Sequence, residues 1–144
     1  MNKKGLAQAN FQRGYNCSQS VFAAFSDDFG LDQELALRVA AGFGGGMGRR
    51  GDTCGAVSGA IMAIGLKYGT SDPQDKATKE RAYQMVRTFF ERFQERNGAV
   101  RCKDLLGVDM STPEGHALAK AEGLTTQRCP KFVGDAAEIL EELL

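Results

Sequence analysis

The sequence has one histidine, three prolines, no tryptophan and no net charge, with Lys+Arg and Asp+Glu balanced at 18 each. Each shortage excludes something. One imidazole cannot build a histidine-based metal site, and His116 reads first as a surface residue early in a helix. A balanced charge leaves no global field for nucleic acid or an acidic membrane, so neither is expected as a partner. No apolar run approaches the roughly 18 residues that a membrane span requires. Residues 1–8 carry charge without an apolar stretch, so no secretory leader is expected and the cytoplasm is the expected compartment. Structural disulfides are rare there. No stretch of useful length alternates apolar and polar residues as a half-buried strand would. Ser58 has no paired histidine and aspartate, which argues against a serine hydrolase.

What the chain has is helical periodicity. The 144 residues suit one domain, 1–144, with enough length to bury a core. Leu6, Ala7, Asn10 and Phe11 open a short helix. Val21, Phe22, Phe25 and Phe29 mark a second, with Asn16 and Gln19 as its capping box and Gly30 as a stop. Asp32 caps a third, carrying Leu35, Leu37, Val39 and Ala40. Asp52 or Thr53 caps a fourth, with Val57, Ala60, Ile61 and Ile64 on it. A long helix over 73–97 has Asp72 as cap, Pro73 at its first position and a stripe through Met85, Phe89 and Phe93. A short turn over 102–106 follows. Ser111-Thr112-Pro113-Glu114 starts another helix, and Pro130 opens the last. The expected fold is all-α, a single-domain irregular helical bundle of about six to seven helices, with the long helix as a central or backing element. The charged residues Arg81, Arg87, Arg92 and Arg96, and the terminal glutamates 138, 141 and 142, read as solvated helix faces.

Four cysteines, Cys17, Cys54, Cys102 and Cys129, carry the chemistry. None forms a C-x-x-C pair, which argues against a thioredoxin motif and an ordinary zinc ribbon. All four fall in or just before the first turn of an expected helix, Cys129 as the cap before Pro130. Unpaired N–H groups and the partial positive charge at a helix start stabilise a thiolate. Arg49, Arg50, Arg101, Lys103, Arg128 and Lys131 adjoin three of the four.

Glycine is abundant, at eighteen residues, and clustered in the ten-residue segment 42–51 that leads to Cys54. Gly46 to Gly51 formally fits G-x-G-x-x-G, but no strand precedes it, so a dinucleotide fingerprint is discounted. A Walker A reading fails for want of Gly-Lys-Ser/Thr. Before a helix start, such a loop can form a nest for an anion or cofactor, with Gly44, Gly45, Gly46, Arg49, Arg50 and Gly55 as the candidate residues. Gly51, Gly55 and Gly59 recur every four residues and leave a bare helical face for close packing.

The segment Cys54-Gly55-Ala56-Val57-Ser58-Gly59 fits a Cys-Gly-Ala-x-x-Gly motif. With Asn16-Cys17-Ser18-Gln19, Cys102 and Cys129-Pro130 in order, nearly the whole chain resembles the four-cysteine family written C-GCAxxG-C-C, to which redox activity is ascribed. The resemblance implies redox chemistry at Cys54, Cys17, Cys102 and Cys129 and supplies no substrate or redox partner. Thiol–disulfide exchange or electron transfer is therefore the first expectation. The same cysteines as four thiolate ligands for zinc, copper(I) or an iron–sulfur cluster are the alternative. A third is an accessory protein with inert buried thiols. Uneven helix lengths and glycine-rich faces are compatible with a homodimer.

Overall fold

The computed structural model describes residues 2–144, all but the first residue of the expected domain. Eight α-helices follow in order: α1 Lys3–Gln12, α2 Cys17–Ser26, α3 Gln33–Ala40, α4 Gly55–Tyr68, α5 Lys76–Asn97, α6 Cys102–Leu106, α7 Pro113–Ala121 and α8 Leu124–Leu143. Single 3-10 turns cover Asp27–Phe29 and Ala41–Phe43. No strand forms among the described residues; one isolated antiparallel bridge joins Thr53 to Arg101. No helix among the described residues is long and apolar enough to cross a membrane.

Helices α2 and α4 form the centre. Both are buried nearly all round, with Val21, Phe22 and Phe25 on one and Val57, Ala60 and Ile64 on the other. They meet backbone to backbone because α4 presents Gly55 and Gly59 to Ser18. A Cβ on Gly55 would lie 2.8 Å from the Ser18 nitrogen, and one on Gly59 only 2.6 Å from the Ser18 carbonyl oxygen. The expected bare face is therefore real at these two positions. Gly51 does another job: it lies before the helix with φ +78°.

Helix α8 covers this pair with Val133, Ala136, Ala137, Ile139 and Leu140, all fully buried. The long helix α5 is a backing element. It buries only Phe89 and Phe93, whose rings stack with centroids 6.0 Å apart. Its arginines are not simply solvated: Arg92 reaches Glu142 and Arg96 reaches Glu138, each at 3.0 Å. These pairs are partly exposed, so each contributes about 1 kcal/mol or less.

Several boundaries differ from the sequence expectation. Helix α5 starts at Lys76 because Asp75, not Asp72, caps it, accepting from the Thr78 N–H at 3.2 Å. Asp72 instead closes a preceding turn by accepting from the Gln74 N–H at 2.9 Å. Cys54 itself occupies the N-cap of α4, in place of Asp52 or Thr53. Thr112 alone caps α7. In α3 the inward residues are Ala36 and Ala40, while Leu35 and Val39 are 45% and 50% exposed. The largest correction is α8, which begins at Leu124 and runs through Pro130. Proline removes the donor that would meet the Thr126 carbonyl. Thr126 is exposed, so water can satisfy that carbonyl, and the helix tolerates the loss.

Candidate functional site

Three of the four cysteines sit at helix starts. Cys17 is the first residue of α2, whose capping box forms as expected: the Asn16 side chain accepts from the Gln19 N–H at 2.9 Å, and Gln19 accepts from the Asn16 N–H at 3.0 Å. Cys54 caps α4 and Cys102 opens α6. Cys129 does not belong to this set. It lies within α8, past its first turn, because that helix starts at Leu124 rather than at Pro130.

Segments far apart in the chain bring the thiols together. Residues 51–54 run antiparallel to 100–103: the Cys54 N–H donates to the Val100 carbonyl at 2.8 Å and the Cys102 N–H to the Asp52 carbonyl at 2.6 Å. This pairing sets the starts of α4 and α6 side by side. The Gly55–Ser18 contact does the same for α2 and α4, placing the Cys17 Cβ 3.0 Å from where a Cβ on Gly55 would stand. Cys129 enters from α8. All four thiols line one cavity of about 460 Å³.

They are free thiols with unequal proton affinities. The Cys54 thiol is held below the ordinary cysteine range, first by a hydrogen bond from the Cys17 thiol. Burial opposes this, and the N–H groups of Ala56 and Val57 reinforce it. Cys17 is pushed well above the ordinary range because its proton serves Cys129 and Cys54, with burial and their charges adding to the effect. Cys102 is raised to about 12, by burial first and then by the charges of Cys54 and Cys129. The expectation that each helix-start cysteine ionises readily thus holds for Cys54 alone. The amides of a first turn help only the sulfur placed to accept from them, as the cap position does for Cys54. At Cys17 and Cys102, burial and neighbouring sulfur outweigh the helix start.

The glycine-rich loop takes an unforeseen shape. Five consecutive residues, Gly45 to Arg49, have φ between +59° and +69°. Glycine enters this left-handed region freely, whereas an L-residue loses roughly 1–2 kcal/mol there. Met47 and Arg49 bear that cost. The loop's amides are turned inward: the N–H groups of Met47 through Asp52 donate to carbonyls between Gly42 and Met47. Those amides therefore do not form an anion nest. Of the candidate binding residues, Gly45, Gly46, Arg49 and Gly55 line the cavity, and Gly44 and Arg50 do not. Gly44 packs on Asn16, and Arg50 turns to Asp52 at 3.0 Å.

Three of the other cations near the cysteines have partners elsewhere, and Lys103, which packs on Gly51, does not line the cavity. Arg101 lies 4.0 Å from Asp104, Arg128 donates to the Leu106 carbonyl at 2.6 Å, and Lys131 pairs with Asp135 at 2.7 Å. Arg49 alone of the expected cations reaches the cavity, where His116 and Lys120 of α7 join it. Sequence reasoning placed His116 on the surface and passed over Lys120. Their spacing of four residues puts them on one face of α7, but which way that face points is decided by the packing of α7 against α8. No group of three or more His, Cys, Asp or Glu side chains among the described residues is arranged to hold a metal ion.

A family model described as "Putative redox-active protein (C_GCAxxG_C_C)" covers residues 15–143. No curated protein and no solved structure matches the chain.

Proposed function

The chain belongs to the C_GCAxxG_C_C family, and from that premise we propose that it carries out thiol–disulfide exchange, with Cys54 as nucleophile and Cys17 as resolving thiol. One observation carries the reading. Cys17 and Cys54 stand at the starts of two helices pressed together at Ser18 and Gly55 and line the same cavity, and there the Cys54 thiol is shifted towards the thiolate while Cys17 is shifted away from it. Exchange needs a thiolate to attack and a second thiol close by to follow.

In the first step the Cys54 thiolate attacks one sulfur of a substrate disulfide. A Cys54–substrate bond forms, the substrate S–S bond breaks, and one half leaves as a thiolate. In the second step Cys17 loses its proton to the departing thiolate and attacks the Cys54 sulfur. The Cys17–Cys54 disulfide forms and the other half leaves. Two electrons pass from the protein dithiol to the substrate. A dithiol reductant restores the cysteines by the reverse exchange. Cys54 is only 4% exposed and meets the outside through the cavity, so the reacting disulfide must enter it. Cys102 and Cys129 complete the wall as a second pair of neighbours able to take up the oxidation.

The test is alkylation at neutral pH followed by peptide mapping, paired with exchange assays. Iodoacetamide is expected to modify Cys54 first. Cys54→Ser should abolish disulfide reduction with an unchanged far-UV spectrum, and Cys17→Ser should accumulate a mixed disulfide on Cys54. Full activity in Cys54→Ser would overturn the assignment.

A further inference from the structure

We infer that the cysteine cavity is a binding site for a small anion and, on the exchange reading above, that its reactant is a small disulfide bearing carboxylate or similar negative groups. The charge around the cavity is one-sided. Arg49, His116 and Lys120 line it, and no aspartate or glutamate does. Neither Arg49 nor Lys120 forms an ion pair among the described residues, whereas Arg50, Arg92, Arg96, Arg101 and Lys131 all do. At the cavity itself both cationic side chains lack a carboxylate partner, and no acidic side chain of the lining competes for them.

The backbone adds an independent sign. Arg49 occupies a left-handed conformation that glycine takes at Gly45, Gly46, Gly48 and Gly51 around it. A strained residue of this kind is a pointer to function when its side chain reaches a site. The loop amides from Met47 to Asp52 are consumed internally, so on this stretch it is the Arg49 side chain that reaches the cavity. Arg49 and the α7 pair His116 and Lys120 come from separate elements to the same cavity.

The remaining walls set the size and the body of the reactant. A volume of about 460 Å³ lies within the range of small-molecule sites. Phe11, Leu105, Leu106, Met110 and Phe132 offer apolar surface to a short carbon skeleton. The cationic groups hold the charged ends while the thiols face the disulfide.

Three aliphatic disulfides of similar length test this: 3,3′-dithiodipropionate (anionic), 2-hydroxyethyl disulfide (neutral) and cystamine (cationic). Each rate is divided by that of free 1-thioglycerol, a neutral thiol distinct from the thiols the probes release, to remove intrinsic reactivity. The full chain should favour the anionic probe over the cationic one by about tenfold at low salt. The preference should fall towards one in Arg49→Gln/Lys120→Gln, read as the ratio of the two charged probes so that any change common to both cancels. A ratio near one in the parent chain, or one unaltered in the double variant, overturns the inference. Calorimetry with 3,3′-thiodipropionate, a thioether that cannot exchange, separates the two claims. Binding to Cys54→Ser that is lost in the double variant supports the anion site on its own, and absence of binding to both the parent and Cys54→Ser overturns it. Thioether binding without exchange of any disulfide supports the anion site while removing the exchange reading.

Discussion

The backbone N–H of Cys102 donates to the carbonyl of Asp52 at 2.6 Å, which ties the third cysteine to the loop that delivers the second. The Cys17 thiol is held protonated by the influence of Cys129 and Cys54, and the Cys102 thiol by burial and the charges of Cys54 and Cys129. These influences link the thiols as 17 with 54, 54 with 102, 102 with 129 and 129 with 17, a ring of pairs within one cavity in which Cys17 and Cys102 do not act on one another.

Four cysteines allow three complete pairings. Two of them join ring neighbours: 17–54 with 102–129, and 17–129 with 54–102. Mild oxidation of the folded protein followed by peptide mapping should yield disulfides from these two sets only. The diagonal links of the third pairing, which requires 17–102, should appear only after unfolding. Finding them as the main products of the folded protein would contradict the arrangement.

Stability should fall on the alkaline side. A thiol whose folded pKa is raised contributes fully below the unfolded value and loses that contribution as pH rises towards the folded one. For Cys102 the window runs from the ordinary value of about 9 up to about 12. Within it the native state binds the proton that the unfolded chain releases. Each such thiol can therefore lower stability by at most roughly 1.4 kcal/mol per pH unit. Cys17 acts in the same direction. Urea unfolding under reducing conditions between pH 9 and 10.5 should show a shallower decline for Cys102→Ala than for the parent chain. Parallel declines would mean that the Cys102 thiol is not held protonated by its surroundings.

Two glycines of one helix should respond oppositely to the same change. A methyl group at Gly59 would stand 2.6 Å from the Ser18 carbonyl oxygen and 3.2 Å from its Cα, both backbone atoms. Gly59→Ala should cost about 1–3 kcal/mol by overpacking. Gly65, farther along α4, has nothing within 4 Å of such a methyl. There alanine should raise stability by about 0.5–1 kcal/mol, because glycine loses more freedom on folding. Equal effects in denaturant titrations would show that α2 and α4 are not pressed together at Gly59.

The sequence made the local part of this architecture readable. The Asn16–Gln19 capping box, the Asp32 cap and the end of α5 at Gly98 each depend on residues within a few positions of one another. Gly55 and Gly59 were legible as a bare face for the same reason. Tertiary features were not. The Thr53–Arg101 bridge rests on so short a paired stretch that no alternation could announce it. Pro130 imitates a helix start, yet α8 continues through it, with Thr126, whose carbonyl loses its donor, an exposed residue. The difference between Cys54 and the other helix-start thiols depends on which sulfur lies against which, and that is a property of the assembled bundle.

The contact of Gly55 and Gly59 with Ser18 has a mechanical consequence. It holds the roots of Cys17 and Cys54 through main-chain atoms, which cannot swing aside as side chains do. Joining or parting the two sulfurs would then need little more than rotation about their own Cα–Cβ bonds. Both oxidation states could share one scaffold, and the pace of cycling would be set by reactants arriving and departing rather than by helices changing place.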